Sequence, residues 1–369
     1  MKRFLQNSAL VVASLMISVL AAEVVLRVAD PFETRVIADR ITLPVGRVYE
    51  ISPDVATPGM DDVIVHRKNR LGFRGEDWPA NPEDREKWIF VGGSTTESFY
   101  FNDDDTWVAG VERLQRPQRP TLWINNAGFD GHSSFGHLVL TRDYLIDLGP
   151  EKIFYMIGIN DVGYDAPHHF DDRLESAEIG DWLRRRTEIG KLVNLMRRAG
   201  RAKQLGLVHG FHADWATSLG ATDRFALSPG ARDAVLATHL NDFIPAYRER
   251  IDALVALVRD HGIEPVLITQ PALFGPATDP ATGFDLGATR HEDVTGAVDG
   301  ATRWQVLEAY NDVLRSVAGQ RGVALIDLAR DLPKDSRLFY DWIHYNKAGQ
   351  AKVARIVSAA VDRLFPAGD

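Results

Sequence analysis

The chain has 369 residues, 45% hydrophobic and 25% charged, enough for a substantial core in about one to three domains. A net charge of −9 without a long Lys/Arg run argues against a nucleic-acid partner. The absence of cysteine excludes disulfides, thiol nucleophiles, thiolate metal sites and a lipidated cysteine, and leaves the redox compartment open.

Residues 1–30 read as a signal anchor or a signal peptide. Lys2 and Arg3 precede a charge-free run from Asn7 to Ala22, which Glu23 ends and Val24, Val25 and Leu26 extend. A cleaved signal would use the small residues around Val19-Leu20-Ala21. An uncleaved anchor needs about 20 apolar residues, which Ser8 to Val28 supplies if Glu23 sits at the interface. The anchor is the favoured reading, ahead of cleavage and of a buried first helix. The basic end then stays in the cytoplasm, and the body is expected outside it, inner-membrane anchored and periplasmic or otherwise extracytoplasmic, or secreted if the signal is cleaved. Residues 31–85, with Pro31, Pro44, Pro53, Pro58 and Pro79, read as a linker and a lead-in that wraps the main domain.

The main domain is expected over 86–369. Apolar runs at 88–91, 122–125, 153–157, 265–269 and 323–326 read as buried strands. Between them, Trp107, Val108, Val111 and Leu114 share a helical face, as do Leu138, Tyr144, Leu145 and Leu148. Longer amphipathic helices follow at 244–258, 304–317 and 353–364. Strand–helix alternation predicts a parallel sheet covered on both faces. Residues 163–235 interrupt the rhythm and read as an inserted cap with a helical piece at 181–197. Residues 275–302 read as a long loop.

In an open parallel sheet, sites form beyond the carboxyl ends of the strands. The residues there are Gly93-Ser94, "NNAGFDGHSS" (125–134), "GIND" (158–161) and "YDWIHYNKAG" (340–349). Together they fit acyl transfer. Ser94 is a candidate nucleophile, His344 its base, and Asp341, three residues earlier, the group that orients His344. Backbone N–H groups of Ser94 and Gly131 with the Asn160 side-chain amide would receive the oxyanion. Blander readings stand beside these. Ser94 could cap a helix after a Gly-Gly turn, and His344 could cap the last helix. Gly128 reads as a turn glycine, Asp161 as a tie within its own loop, and His132 as a surface histidine. Asp103, Asp104 and Asp105 read as a helix cap, and His168-His169 as a solvated loop rather than a metal site. Trp342, Ile343, Leu273 and Phe274 could form an acyl pocket or simply core. No metal or cofactor is called for.

These four blocks resemble those of the SGNH (GDSL-type) hydrolase superfamily, over about 88–365 and in the same order. Ser94 stands in "GGST" where Gly-Asp-Ser is usual, a variant that resembles a branch of anchored bacterial members. Gly131 matches the second-block glycine, Asn160 the asparagine of G-x-N-D, and Asp341 and His344 the D-x-x-H pair. The resemblance implies a flavodoxin-like three-layer α/β/α fold. It also implies a serine esterase acting on small acyl groups, often acetyl, of carbohydrates or other polar esters. An acyltransferase would use the same acyl-enzyme, but the exported ones resembling this superfamily place the Asp-His pair before the serine. A non-catalytic surface assembly protein that kept the fold is the remaining alternative.

Overall fold

The apolar runs become strands because their side chains alternate between two buried faces. Trp88 and Phe90 join one core cluster and Ile89 and Val91 the other; Phe154 and Met156 likewise oppose Ile153, Tyr155 and Ile157. The computed structural model describes residues 2–29, 36–37, 40–41, 43–52, 57, 59–167, 187, 189, 215–220 and 224–367. Its central sheet has six strands: β1 (Arg74–Gly75), β2 (Glu86–Gly92), β3 (Leu122–Gly128), β4 (Lys152–Ile157), β5 (Glu264–Thr269) and β6 (Ala324–Ile326), in the order β6-β5-β4-β2-β3-β1.

Strands β2 to β6 are parallel and follow the flavodoxin-like order. The sheet is not purely parallel, as the strand–helix alternation predicts. At its edge β1 runs antiparallel to β3, pairing Arg74 with Asn126 and Gly75 with Asn125. A strand of two residues is too short to show any hydrophobic period.

Helices cover both faces. The cluster containing Trp88 and Phe90 takes in side chains of α3 (Trp107–Gln115) and of the last helix, Lys347–Leu364. The opposite cluster takes in α4 (Ser134–Leu140), α5 (Ile244–Asp260) and α6 (Gly300–Arg321). The nucleophile block itself forms a four-residue helix, α2 (Ser94–Glu97).

Three local expectations need correction. Residues 275–302 are not one long loop: Arg290–Asp293 and Gly296–Asp299 form an antiparallel hairpin, and the Asp299 side chain accepts the Thr302 N–H at 2.7 Å to start α6. Asp103 does not cap α3. The Thr106 hydroxyl does, accepting from Ala109 N–H at 3.2 Å, while Asp103 receives Arg74 at 2.8 Å. The lead-in is more than a wrapping: Val48–Ile51 pairs with Ile64–Arg67, and Leu43, Ile64 and Phe73 are buried.

The backbone of α1 (Lys2–Ala29) is helical over 28 residues. Among the described residues, no helix is long and apolar enough to cross a membrane. Most of the inserted segment 163–235, including His168-His169 and the piece at 181–197, lies outside the described residues. Its described helix Trp215–Gly220 packs over the C-terminal block, with Trp215 Nε1 donating to Phe339 O at 2.9 Å.

Candidate active site

The reversal of strand order falls between β2 and β4, so the loops after these strands diverge and leave a crevice. Ser94 follows β2 and Asn160 follows β4. The two glycines before Ser94 are required by space. Gly93 has φ of −85°, open to any residue, but a Cβ on it would lie 2.2 Å from Asn160 Nδ2. A Cβ on Gly92 would lie 2.2 Å from Thr96 Oγ1. The chain therefore folds back tightly on β2 and lets the Asn160 amide reach the nucleophile turn.

His344 meets Ser94 across a sequence separation of 250 residues: its Nε2 lies 2.8 Å from Ser94 Oγ. Its Nδ1 lies 2.7 Å from Asp341 Oδ2. An ionised carboxylate can only accept, so Nδ1 carries the proton and Nε2 is left to accept from the serine hydroxyl. Asp341 is itself fixed, its Oδ1 accepting the N–H of Ile343 at 2.9 Å and of His344 at 2.7 Å. The Tyr340 ring lies parallel to that of His344, 8° apart in plane with centroids at 5.4 Å. Ser94, Asp341 and His344 are all buried. Asn346 rather than His344 caps the last helix, accepting Gly349 N–H at 3.1 Å.

Two of the expected oxyanion donors, the Ser94 N–H and the Asn160 amide, meet at the Gly93–Ser94 turn. Ser94 opens α2, and the first N–H groups of a helix have no acceptor within it. Asn160 Nδ2 donates to His132 O at 2.9 Å, and its second hydrogen is available to another acceptor. Gly131 has φ of +72°, in a turn closed by His132 N–H to Phe129 O at 3.0 Å. This is the left-handed conformation that disfavours a side chain. A hydroxyl, its base, an orienting carboxylate and an amide donor at the nucleophile turn can together perform acyl transfer.

The family model of the GDSL-like Lipase/Acylhydrolase family matches residues 90–352, a span that holds Ser94, Gly131, Asn160, Asp341 and His344. The chain belongs to this family. It is an ester-hydrolysing serine hydrolase. No curated protein matches it. Similar solved structures include LAE5, an alpha/beta hydrolase enzyme from the metagenome of Lake Arreo, Spain, at 17% identity over 76% of this chain and 96% of that one, with a TM-score of 0.42. A variant of Axe2, an acetyl xylan esterase from Geobacillus stearothermophilus, is 16% identical over 75% and 94% of the two chains, with a TM-score of 0.42. A putative lipolytic protein of the G-D-S-L family from Desulfitobacterium hafniense is 12% identical over 75% and 99%, with a TM-score of 0.40.

Around this GDSL-family site, several side chains depart from the expectation. His132 is buried rather than on the surface, its ring beside Phe129 and His137. Asp161 ties more than its own loop, because its carboxylate accepts Ser134 Oγ at 2.5 Å and Ser134 N at 3.1 Å at the start of α4. Ile343 and Phe274 join Ile159, Ala272 and Leu307 in a small apolar cluster with Trp342 at its edge, whereas Leu273 packs in the core beneath the sheet. A cavity of about 20 Å³ opens there, lined by Ile159, Val162, Phe274, Leu307 and charged groups that include Arg303. Among the described residues no group of three or more His, Asp or Glu could hold a metal.

Lys68, Arg74 and Glu97 were not singled out in the sequence. They form a buried charged group behind α2, with Lys68 Nζ 2.7 Å from Glu97 Oε1 and Arg74 donating to Glu97 O at 2.8 Å and Ser98 O at 2.6 Å. Their only sequence signal is Glu97 in "GGSTTES", three residues after the nucleophile.

Proposed function

We propose that this esterase is exported and membrane-anchored, and that it hydrolyses small acyl esters, acetyl first, of carbohydrates or other polar compounds. The observation that carries the reading is the hydrogen-bonded chain Ser94–His344–Asp341 beside the Asn160 amide. Ser94 Oγ attacks the acyl carbon while His344 Nε2 takes its proton. Asp341 steadies the imidazolium, and the oxyanion is received by Ser94 N–H, Gly131 N–H and Asn160 Nδ2. The intermediate then expels the alcohol, which takes the proton from Nε2. Water attacks the acyl-enzyme with His344 again as base, the acid leaves, and Ser94 recovers its proton.

The small apolar cluster of Ile159, Phe274, Leu307 and Ile343, which includes the chain neighbours of Asn160 and His344, supports a short acyl group. The basic pair Lys2-Arg3 before the charge-free run from Asn7 to Ala22 supports the anchor and the external placement of the body. The GGST block fits the anchored bacterial branch that the sequence resembles.

The test is turnover of nitrophenyl acetate, butyrate, octanoate and palmitate, and of acetylated sugars, by the full chain in detergent. Ser94-dependent hydrolysis that is fastest on acetate is expected. Transfer of the acetyl group to added sugar in preference to water would make the protein an acyltransferase. Absence of any Ser94-dependent turnover would reject catalysis and favour an assembly role. A reporter fused after Asp369 should be active outside the cytoplasm; activity only inside would overturn the topology.

A further inference from the structure

The segment preceding the family match supplies a lysine that pairs with a carboxylate of the nucleophile helix. Lys68 and Glu97 are each 1% exposed at the side chain and 2.7 Å apart. The second oxygen of Glu97 accepts the backbone N–H of Asp130 at 2.5 Å. One carboxylate thus joins the nucleophile helix, three residues after Ser94, to the residue just before Gly131. Burying two charges costs solvation that their attraction often does not recover, and an apolar pair of similar volume is frequently as stable. Stability alone therefore does not account for an ion pair at this place.

The loop around Gly131 shows what the pair does. Phe129 N–H is held by Gly92 O at 3.0 Å and His132 N–H by Phe129 O at 3.0 Å. His132 O is held by Asn160 Nδ2 at 2.9 Å. On the N-terminal side of Gly131 the Asp130 N–H is anchored by Glu97. The Asp130 N–H belongs to the peptide plane just before the one that carries the Gly131 N–H, so holding it fixes the end of Asp130 about which that next plane turns. We propose that Lys68 and Glu97 are positioning residues of the oxyanion site: Lys68 holds the Glu97 carboxylate, and Glu97 fixes the Asp130–Gly131 backbone so that the Gly131 N–H meets the transition state. The inference rests on the esterase reading above.

Two double variants of the full chain separate charge from positioning. Lys68→Met with Glu97→Gln removes the ion pair but keeps an amide oxygen for Asp130 N–H. Lys68→Met with Glu97→Leu removes the acceptor as well. Neither leaves an unpaired buried charge. The Gln double should keep kcat within roughly threefold of wild type. The Leu double should lose about 10²-fold in kcat with KM changed only a few-fold, since a displaced oxyanion donor acts in the transition state. Hydrogen exchange supplies a readout independent of turnover: the Asp130 amide should be protected in the wild type and the Gln double and exposed in the Leu double. A folded Leu double with wild-type kcat overturns this inference alone. So does rapid exchange of the Asp130 amide in the wild type, whether or not the variants fold. A wild-type chain without Ser94-dependent turnover overturns the esterase reading, and this inference with it.

Discussion

The Asn160 amide nitrogen occupies the space where a side chain on residue 93 would begin, 2.2 Å from the ideal Cβ position of Gly93. The absence of an atom at one position and the presence of a donor at another are thus one feature. Gly93→Ala must push Asn160 aside or tilt α2. A loss of about 10²-fold in kcat is expected, with little change in KM, because an oxyanion donor misplaced by about 1 Å acts on the transition state. Asn160→Ala should show the same split, and steady-state kinetics of both variants check it. A change confined to KM would mean that Asn160 only binds substrate.

Ser94→Ala should lower kcat/KM by on the order of 10³ or more while the protein stays folded, leaving what binding and the oxyanion donors contribute. Labelling with a fluorophosphonate should modify Ser94 and be lost in the variant. Hydrolysis close to wild type would end the serine mechanism.

Asp341→Asn keeps the size of the side chain but can place an N–H opposite His344 Nδ1, which favours the tautomer with its proton on Nε2. The base then faces Ser94 with a proton already in place. A fall in kcat of about 10³–10⁴ at neutral pH is expected, with the fold unchanged by circular dichroism.

The small apolar cluster around Ile159 and Ile343 should set a limit on acyl length. A buried methylene contributes about 0.8 kcal/mol, close to fourfold in binding, if a groove receives it. The cavity of about 20 Å³ beside Ile159 and Phe274 offers no such groove. Specificity constants should therefore fall from acetate to octanoate. A steady rise through octanoate to palmitate would point instead to a lipid ester near the membrane.

Stability should respond to acid through Asp327, which follows β6. Burial pushes its carboxyl up, but hydrogen bonds from Arg315 and Thr269 and the charges of Arg315 and Arg330 hold it below the usual carboxylate range. Its folded value is below its unfolded value of about 3.9. Its contribution is therefore full above that pH and is lost as pH falls through the folded value. Asp327→Asn should cost roughly 1–2 kcal/mol at pH 7, discounted for partial exposure. The gap from wild type should close as pH drops below about 4. Urea midpoints from pH 3 to 7 measure this.

The strands and the four blocks were legible because their signals are local. The continuous apolar runs at 88–91 and 153–157 and the amphipathic period in 244–258 express one element's own geometry. A parallel sheet then requires the block after each strand to collect at one rim. That much puts Ser94, Gly131, Asn160, Asp341 and His344 on the same side. The hairpin at 290–299 was missed because strands of four residues, with polar Arg290, His291, Glu292 and Asp293 in the first, do not stand out from a loop.

What the tertiary structure alone decided concerns groups whose meaning depends on distant partners. Gly93 carries no local sign that Asn160, 67 residues later, will lie against it. Lys68 and Arg74 are ordinary surface types in a polar stretch, and only the tertiary fold buries them against Glu97 and the chain that follows it. A charge is buried only where a partner and hydrogen bonds offset its lost solvation. For Lys68 that partner is Glu97, 29 residues away in sequence and 2.7 Å away in space. Sequence pattern determines which faces of the elements meet, because burial of apolar area is additive and non-directional. The pairing of buried charges and the room beside a glycine are directional and of ångström scale, so they exist only once the elements have met.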